Sequence, residues 1–493
     1  MTGKSPINQN RRMVSIDWNK KNDYYHKLIE GYLTFHTSDQ DSLLVLGCGK
    51  GGIFDNAPFQ SAVGIDLDPS VIQEGQNKFQ SNSKVEFHTV KDYLSLPDLN
   101  RTFDGVIVKN VIAELKDIQA LLERLRVLMN PSSRLVMNFH SHLWSPIIQV
   151  AETFGLKRPT GRTTWVTKED ILNLFILTGF ELVTHGKCIL LPKNPFGLGG
   201  FINRWVAPLP IVENLCLENI VMARPIGLNE NPKLPSVTVV IPARNEAGNI
   251  ENAIHRLPSM GVHTEIIFVE GNSIDNTWDE IKRVQDLHPE RDIKVLKQSG
   301  KGKADAVQHG FKEAKGDLLM ILDADLTVDP EDLPKFFNAI VENKGDFING
   351  SRLVYPLEEQ AMRFLNMLAN KLFGWLFTWL LGQRYRDTLC GTKVLWKKDY
   401  NRIANNRRFF GDFDPFGDFD LIFGATKLGL KTIEIPVRYK ERTYGTTNIK
   451  RFRHGLLLFR MIFLAARLLK FKLAIPRSSL RGDRLGSPFR KGG

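Results

Sequence analysis

Leu318-Leu319-Met320-Ile321-Leu322-Asp323-Ala324-Asp325 is the stretch on which the fold turns. Five apolar residues in a row read as a strand buried on both faces, and two carboxylates stand where it runs out. In an open α/β sheet, ligands bind beyond the carboxyl ends of the strands. Residues i and i+2 of a strand share a face, so both carboxylates could approach one cation. Hard oxygens of this kind suit Mg²⁺ or Mn²⁺. The alternative is a pair of loop aspartates that caps the next helix, because Asp329-Pro330-Glu331-Asp332 follows.

The surroundings favour a site. Val237 to Ile241 reads as a strand that runs into Pro242-Ala243-Arg244-Asn245-Glu246. Thr264 to Val269 is a second strand, running into Glu270-Gly271-Asn272-Ser273. Gly300-Lys301-Gly302-Lys303 opens a helix ahead of the Asp323 strand. Polar residues at successive strand ends are how such sheets assemble a nucleotide site. Further on stand Gly350-Ser351-Arg352, Asp387 before Thr388-Leu389-Cys390-Gly391-Thr392, the acidic set Asp412, Asp414, Asp418 and Asp420, and Arg442-Thr443-Tyr444-Gly445-Thr446-Thr447. Asp418, Asp420 and Asp387 are the carboxylates here that could act as a base toward a reacting hydroxyl. The same acids could instead cap loops and pair with Arg407 and Arg408. Beside a diphosphate, the planar forks of Arg352 and Arg442 would suit paired oxygens.

The first half repeats the α/β pattern. Ser42 to Leu46 is a strand followed at once by Gly47-Cys48-Gly49-Lys50-Gly51, a turn whose amides could approach a ligand closely. The next strand, Ala62 to Ile65, ends in Asp66, where a carboxylate can accept from both ribose hydroxyls of a nucleoside. Asp92 follows a third strand, Asn110 a fourth, and a fifth covers Arg134 to Phe139. A NAD-binding reading competes, because Gly52 completes that spacing too; the Asp92 and Asn110 context decides against it. His140 and His142, just past the fifth strand, are candidate bases as well as candidate structural histidines. The Pro- and Gly-rich stretch 190–210, with Phe196, Phe201 and Trp205, either caps an acceptor pocket or touches the second half.

A length of 493 residues suggests several domains, and a net charge of +12 is unevenly placed. Residues 431–493 hold 16 Lys/Arg against Glu434, Glu441 and Asp483, a net of +13, which leaves the rest near −1. A localised basic region favours an anionic surface; the absence of a base-reading motif argues against nucleic acid. Four cysteines without a C-x-x-C pair indicate neither a disulfide framework nor zinc. The polar start, Met1 to Arg12, lacks a signal-peptide core, so a cytoplasmic location is expected. No apolar run reaches spanning length. Leu372 to Leu381 is too short, and Leu456 to Leu469 carries Arg460 and Arg467 on nearly one helical face, a pattern for lying on a membrane or packing on the domain.

Residues of the first half resemble class I S-adenosylmethionine-dependent methyltransferases over about 20–140. The resemblance assigns Gly47, Gly49 and Gly51 to the methionine part, Asp66 to the ribose and Asp92 to the adenine, with the stretch from Asn110 to Glu114 as the fourth-strand signature. Residues 236–455 resemble the GT-A fold of family-2 glycosyltransferases, most closely polyprenyl-phosphate mannose and glucose synthases. That resemblance puts Pro242, Arg244, Asn245, Glu246 and Glu270 at the nucleoside of a GDP- or UDP-sugar. It puts Asp323 and Asp325 at a metal on the diphosphate, and Lys303, Arg352 and Arg442 on the phosphate and acceptor side. Three departures stand out: Gly271 after Glu270 where a second acid is usual, Thr327 where a Gln ligand is usual, and Asn448 where a lysine is usual. The expected architecture is therefore two doubly wound Rossmann-like domains, at 1–225 and 236–455, with a linker at 226–235. An amphipathic helix and basic tail would occupy 456–493. The implied activities are sugar transfer to a lipid phosphate or lipid-linked acceptor at the cytoplasmic face of a membrane, and methyl transfer. The rival expectation is a soluble saccharide acceptor with a non-catalytic first domain.

Overall fold

The structure, a computed structural model, describes residues 22–154, 165–228, 233–354, 364–406, 419–438, 440, 444 and 451–471; within these, side chains are described outside 364–370 and 451–458. The first sheet contains β1 (Ser42–Leu46), β2 (Ser61–Asp66), β3 (Val85–Thr89), β4 (Phe103–Val108), β5 (Met129–His140), β6 (Phe180–Cys188) and β7 (Glu218–Pro225), in the order β3-β2-β1-β4-β5-β7-β6. Strands β1 to β5 are parallel, whereas β7 runs antiparallel to both β5 and β6. The second sheet holds β8 (Val237–Ala243), β9 (Thr264–Glu270), β10 (Asp292–Lys297), β11 (Leu318–Ile321), β12 (Phe347–Ser351), β13 (Lys393–Trp396) and β14 (Thr432–Pro436), in the order β10-β9-β8-β11-β13-β12-β14.

Both sheets are doubly wound, as expected, with antiparallel strands added on one side of the parallel core. The central strands are apolar throughout because helices cover both faces, giving two core layers per sheet. Strand order reverses at β1, between β2 and β4, and at β8, between β9 and β11. Such switch points open a crevice at the strand ends. The glycine turn follows β1, and the Pro242–Glu246 loop follows β8.

Six helices matter below: α1 (Asp23–Leu33), α2 (Ser145–Thr153), α3 (Leu198–Trp205), α4 (Lys303–Glu313), α5 (Phe364–Leu381) and α6 (Arg451–Leu469). Helices α5 and α6 pack on each other, with the Phe373 and Phe459 rings 5.1 Å apart. A helix therefore covers the expected 456–469 segment, beginning earlier, at Arg451, and among the described residues no helix is long and apolar enough to cross a membrane. The basic tail beyond Phe471 lies outside the described residues.

The two halves meet through buried charge. Asp346 receives Arg134 Nη2 at 2.6 Å, Arg224 Nη1 at 3.0 Å and the Lys431 amide at 2.8 Å. Arg224, fully buried, also donates to the Asn343 carbonyl and to Glu181. Arg134 Nε reaches the Gly429 carbonyl at 2.6 Å, and Arg402 pairs with Asp41 at 3.0 Å. Trp379 Nε1 donates to the Pro208 carbonyl at 3.0 Å. The stretch after residue 190 therefore does touch the second half.

Candidate active sites

In the first half, Gly47, Gly49 and Gly51 all have positive φ, at 73°, 55° and 74°. A side chain on Gly47 would overlap the Lys109 carbonyl, so the turn is seated directly on the end of β4. By contrast, the Cβ direction of Gly49 faces open space, and its amide donates to Asp66 Oδ2 at 2.8 Å. Asp66 thus holds the turn while standing at the rim of that space. Gly47→Ala combines a forbidden contact with an unfavourable φ and should lower stability by roughly 1–3 kcal/mol, read as a drop in denaturation midpoint. Asp92 is exposed and caps its own turn, taking the Leu94 amide at 3.2 Å.

Asn110, at φ 57°, heads a polar network at the end of the sheet. Its amide donates to Asn138 Oδ1 at 2.9 Å, and its own Oδ1 accepts from Asn138 Nδ2 and the Tyr25 hydroxyl. Glu218, at the start of β7 and fully buried, accepts from Asn138, Tyr25 and His140 Nδ1, the last at 2.5 Å. Burial works to raise the Glu218 pKa, but His140, Asn138 and Tyr25 together hold it below the usual range. Lys109 pairs with Glu30 at 2.7 Å against Gly52. Desolvation beside Lys109 pushes His26 down to about 4. Sequence reasoning missed Tyr25, Glu30, Asn138 and Glu218. Only Asn138 and the preceding strand lay near a motif.

In the second half, β11 stops at Ile321. Asp323 and Asp325 therefore lie in the turn beyond it, and strand alternation does not set their directions as the sequence reading supposed. Asp323 Oδ1 pairs with Lys303 Nζ at 2.6 Å. Burial acts to raise its pKa, but the nearby charges of Lys303, Lys393 and Arg352 prevail and lower it. Gly391 is packed so closely that a Cβ there would overlap the Asp323 carboxylate. Asp325 Oδ1 accepts from the Thr327 amide at 3.2 Å and hydroxyl at 2.9 Å. Thr327, which departs from the family pattern, thus orients the second aspartate.

Asp387 is not placed as a base. It is buried and takes Arg352 Nε at 2.6 Å, Nη2 at 2.8 Å and amide at 3.0 Å, with Oδ1 also accepting from the Leu389 amide. Burial opposes ionisation, yet Arg352 outweighs it and holds the carboxyl below the usual range. Arg352 correspondingly uses Nε and Nη2 on Asp387, not on a ligand. Glu246 is buried and accepts from Asn249 at 2.7 Å, an inward position. Glu270 Oε1 accepts from the Ser273 amide at 2.6 Å. Asn245, at φ 56°, accepts from the Ile274 amide, while Arg244 is exposed and Pro242 half-buried. The Tyr444 ring lies on Gly248, and its hydroxyl reaches Asp275 at 3.5 Å, which puts this one residue beside the β8 loop. Asp420 sits in the first turn of the helix Phe419–Lys427. Asp412, Asp414, Asp418 and Arg442 lie outside the described residues. Sequence reasoning missed Lys393, fully buried and donating to the Cys390 carbonyl at 2.5 Å; its position directly after Gly391-Thr392 was the available signal.

Two doubly wound sheets, each with polar side chains gathered at its switch point, are the layout of a tandem Rossmann-like protein. Residues 44–135 match the profile of a methyltransferase domain, and residues 238–419 match glycosyl transferase family 2. The chain thus carries a methyltransferase domain followed by a family 2 glycosyltransferase domain. It is 29% identical over 249 residues to a dolichol-phosphate mannosyltransferase of Pyrococcus furiosus, a match covering 49% of this chain and 66% of that protein. It is 26% identical to an undecaprenyl-phosphate 4-deoxy-4-formamido-L-arabinose transferase of Edwardsiella ictaluri, covering 42% and 61%. Among solved structures, a magnesium protoporphyrin IX methyltransferase from Synechocystis aligns over 45% of this chain and 90% of its own, with a TM-score of 0.30 and 16% identity.

Proposed function

We propose that the second half transfers a sugar from a GDP- or UDP-sugar to a polyprenyl phosphate or other lipid-linked acceptor, and that the first half transfers a methyl group from S-adenosylmethionine. The working units are 1–225 and 236–455, joined at 226–235, acting at the cytoplasmic face of a membrane in cell-envelope glycan or glycolipid synthesis. The observation that carries the sugar-transfer reading is the Asp323–Asp325 turn at the β8/β11 switch point, ringed by Lys303, Lys393 and Arg352.

The donor groups suit a hard cation. Among the described residues no three His, Cys, Asp or Glu side chains converge. One or two aspartate oxygens would therefore be completed by phosphate oxygens and water, the habit of Mg²⁺ and Mn²⁺ in nucleotide sites. A cation held by Asp325 and Asp323 supplies neutralisation of the charge that grows on the departing nucleoside diphosphate. Lys303 heads α4, so its ammonium and the helix N-terminus both favour phosphate there. Arg352, locked by Asp387, contributes fixed positive charge. A lipid phosphate acceptor is ionised at neutral pH and requires no base, which accords with Asp387 being engaged elsewhere. The assay is sugar transfer from GDP-mannose and UDP-glucose to undecaprenyl phosphate in detergent, with and without Mn²⁺. Cation-dependent transfer is expected; donor turnover only onto soluble sugars would overturn the lipid acceptor.

For the first half, the support is the open space that the Cβ direction of Gly49 faces beside Asp66, whose carboxylate could accept from the ribose hydroxyls of a bound nucleoside. Titration calorimetry with S-adenosylmethionine should show binding, weakened about ten-fold or more in Asp66→Ala as ribose hydrogen bonds are lost. No binding by the unmodified chain would sink the methyl-transfer reading.

A further inference from the structure

The first half carries an apolar face with an inverted helix at its centre. Helix α3 buries its polar Asn203, which accepts the Leu190 and Leu191 amides at 2.8 and 2.9 Å and donates to the Leu191 carbonyl and the Tyr24 hydroxyl. Outward it presents Leu198, Phe201 and Trp205, with Phe196 fully exposed before it and Ile211 and Leu215 exposed after it. In water, that arrangement runs against the usual placement of side chains.

Its location is informative. The segment joins the end of β6 to the start of β7, and Cys188 and Glu218 pair in register beside His140. It therefore hangs from the same end of the sheet as Gly49, Asp66 and Asn110. It is tied to the end of β5 by the Ser141 amide on the Leu217 carbonyl and by Trp144 Nε1 on the Leu215 carbonyl. Next to it, α2 exposes Ile147 and Val150, and Phe154 at its C-terminal cap is exposed as well. The face continues into the second half, where Trp205 lies 5.3 Å from Phe471, α5 exposes Trp375, and α6 exposes Phe459 and Phe463.

Charge selects the occupant. The stretches 182–212, 364–386 and 442–482 contain no Asp or Glu, so their only formal charges are those of Lys and Arg. Residues 196–215 hold Arg204 against Glu213, and α2 holds Glu152, so the excess positive charge comes from α6, which carries Arg451, Arg453, Arg460 and Arg467 and no acid. An apolar face bordered by such a helix matches an anionic lipid surface, where each Lys/Arg adds attraction to the apolar contact. We propose that residues 196–215 dock on an anionic bilayer together with α5 and α6, which sets the mouth of the first sheet at the lipid surface and makes its methyl acceptor a lipid-borne molecule. The acceptor clause rests on the methyl-transfer reading above; the docking clause does not.

The test uses the full chain and vesicles of phosphatidylcholine with or without phosphatidylglycerol. All four native cysteines are buried, so Phe201→Cys can be labelled selectively with an environment-sensitive dye. Binding to anionic vesicles should shift the dye emission to the blue and expose it to quenching by brominated acyl chains. The double variant Phe196→Asp/Phe201→Asp should reduce vesicle partitioning about ten-fold or more with an unchanged circular dichroism spectrum. A dye that stays in water on vesicle-bound protein, or unchanged partitioning of the double variant, overturns the docking face. So does a vesicle-free dimer that the double variant abolishes, since a second copy would then be the occupant. For the acceptor, labelled S-adenosylmethionine and a membrane lipid extract should yield label in the organic phase; its absence overturns the lipid-borne acceptor. Calorimetry on the same protein tells whether that loss reflects the acceptor or the methyl-transfer reading itself.

Discussion

Asp325→Ala should lower the turnover of sugar transfer about 10²–10³-fold while leaving the thermal unfolding midpoint nearly unchanged. The asymmetry follows from the surroundings of the two aspartates. Asp325 lies in a turn beyond β11, half-buried, and its Oδ1 is steadied by the neutral Thr327 amide and hydroxyl, which water can satisfy when the carboxylate is removed. Asp323→Ala instead removes the carboxylate that pairs with Lys303 at 2.6 Å and that the charges of Lys393 and Arg352 also face, and should lower both activity and stability. Steady-state rates in detergent with saturating donor, run beside differential scanning calorimetry, separate the two. An Asp325→Ala protein that keeps a tenth of the wild-type turnover would remove the cation from the scheme.

The largest effect on stability is expected far from either mouth. Asp346→Ala leaves Arg134 and Arg224 with their positive charge buried and without that carboxylate. Breaking a buried pair in this way costs about 3–5 kcal/mol. Asp346→Asn, which keeps hydrogen-bond acceptance but not charge, should fall between. Denaturant titration of the three proteins gives the ordering. A variant within about 1 kcal/mol of wild type would mean that the junction is hydrated in solution.

The elements that were legible in the sequence are those with local causes. The run Leu318 to Leu322 gave β11 to within one residue because apolar length and flanking polar residues are both short-range signals. The glycine turn was legible for the same reason, since positive φ at alternate residues has few solutions other than glycine. Within the sites, the strand-end residues were found, but their duties were not. Asp387 looks like a base from its neighbours in the chain, yet Arg352, 35 residues away, holds it as a counter-ion. Arg134 opens an otherwise apolar run, and nothing nearby announces that its partner lies 212 residues further on. Glu218 begins β7, an interior strand whose pairing with His140 depends on an antiparallel register fixed by the whole sheet. Such roles come from tertiary contact, which spacing along a chain does not encode.

The guanidinium of Arg224, sealed between Glu181 and Asp346, has a kinetic corollary. With that junction closed, the two catalysts form one body without a swinging arm. Were both proposed reactions to act on one lipid-borne molecule, it would have to leave one mouth and reach the other by its own lateral diffusion in the leaflet. Coupled turnover should therefore slow as carrier lipid is diluted in a neutral host, whereas each half-reaction at saturation should not.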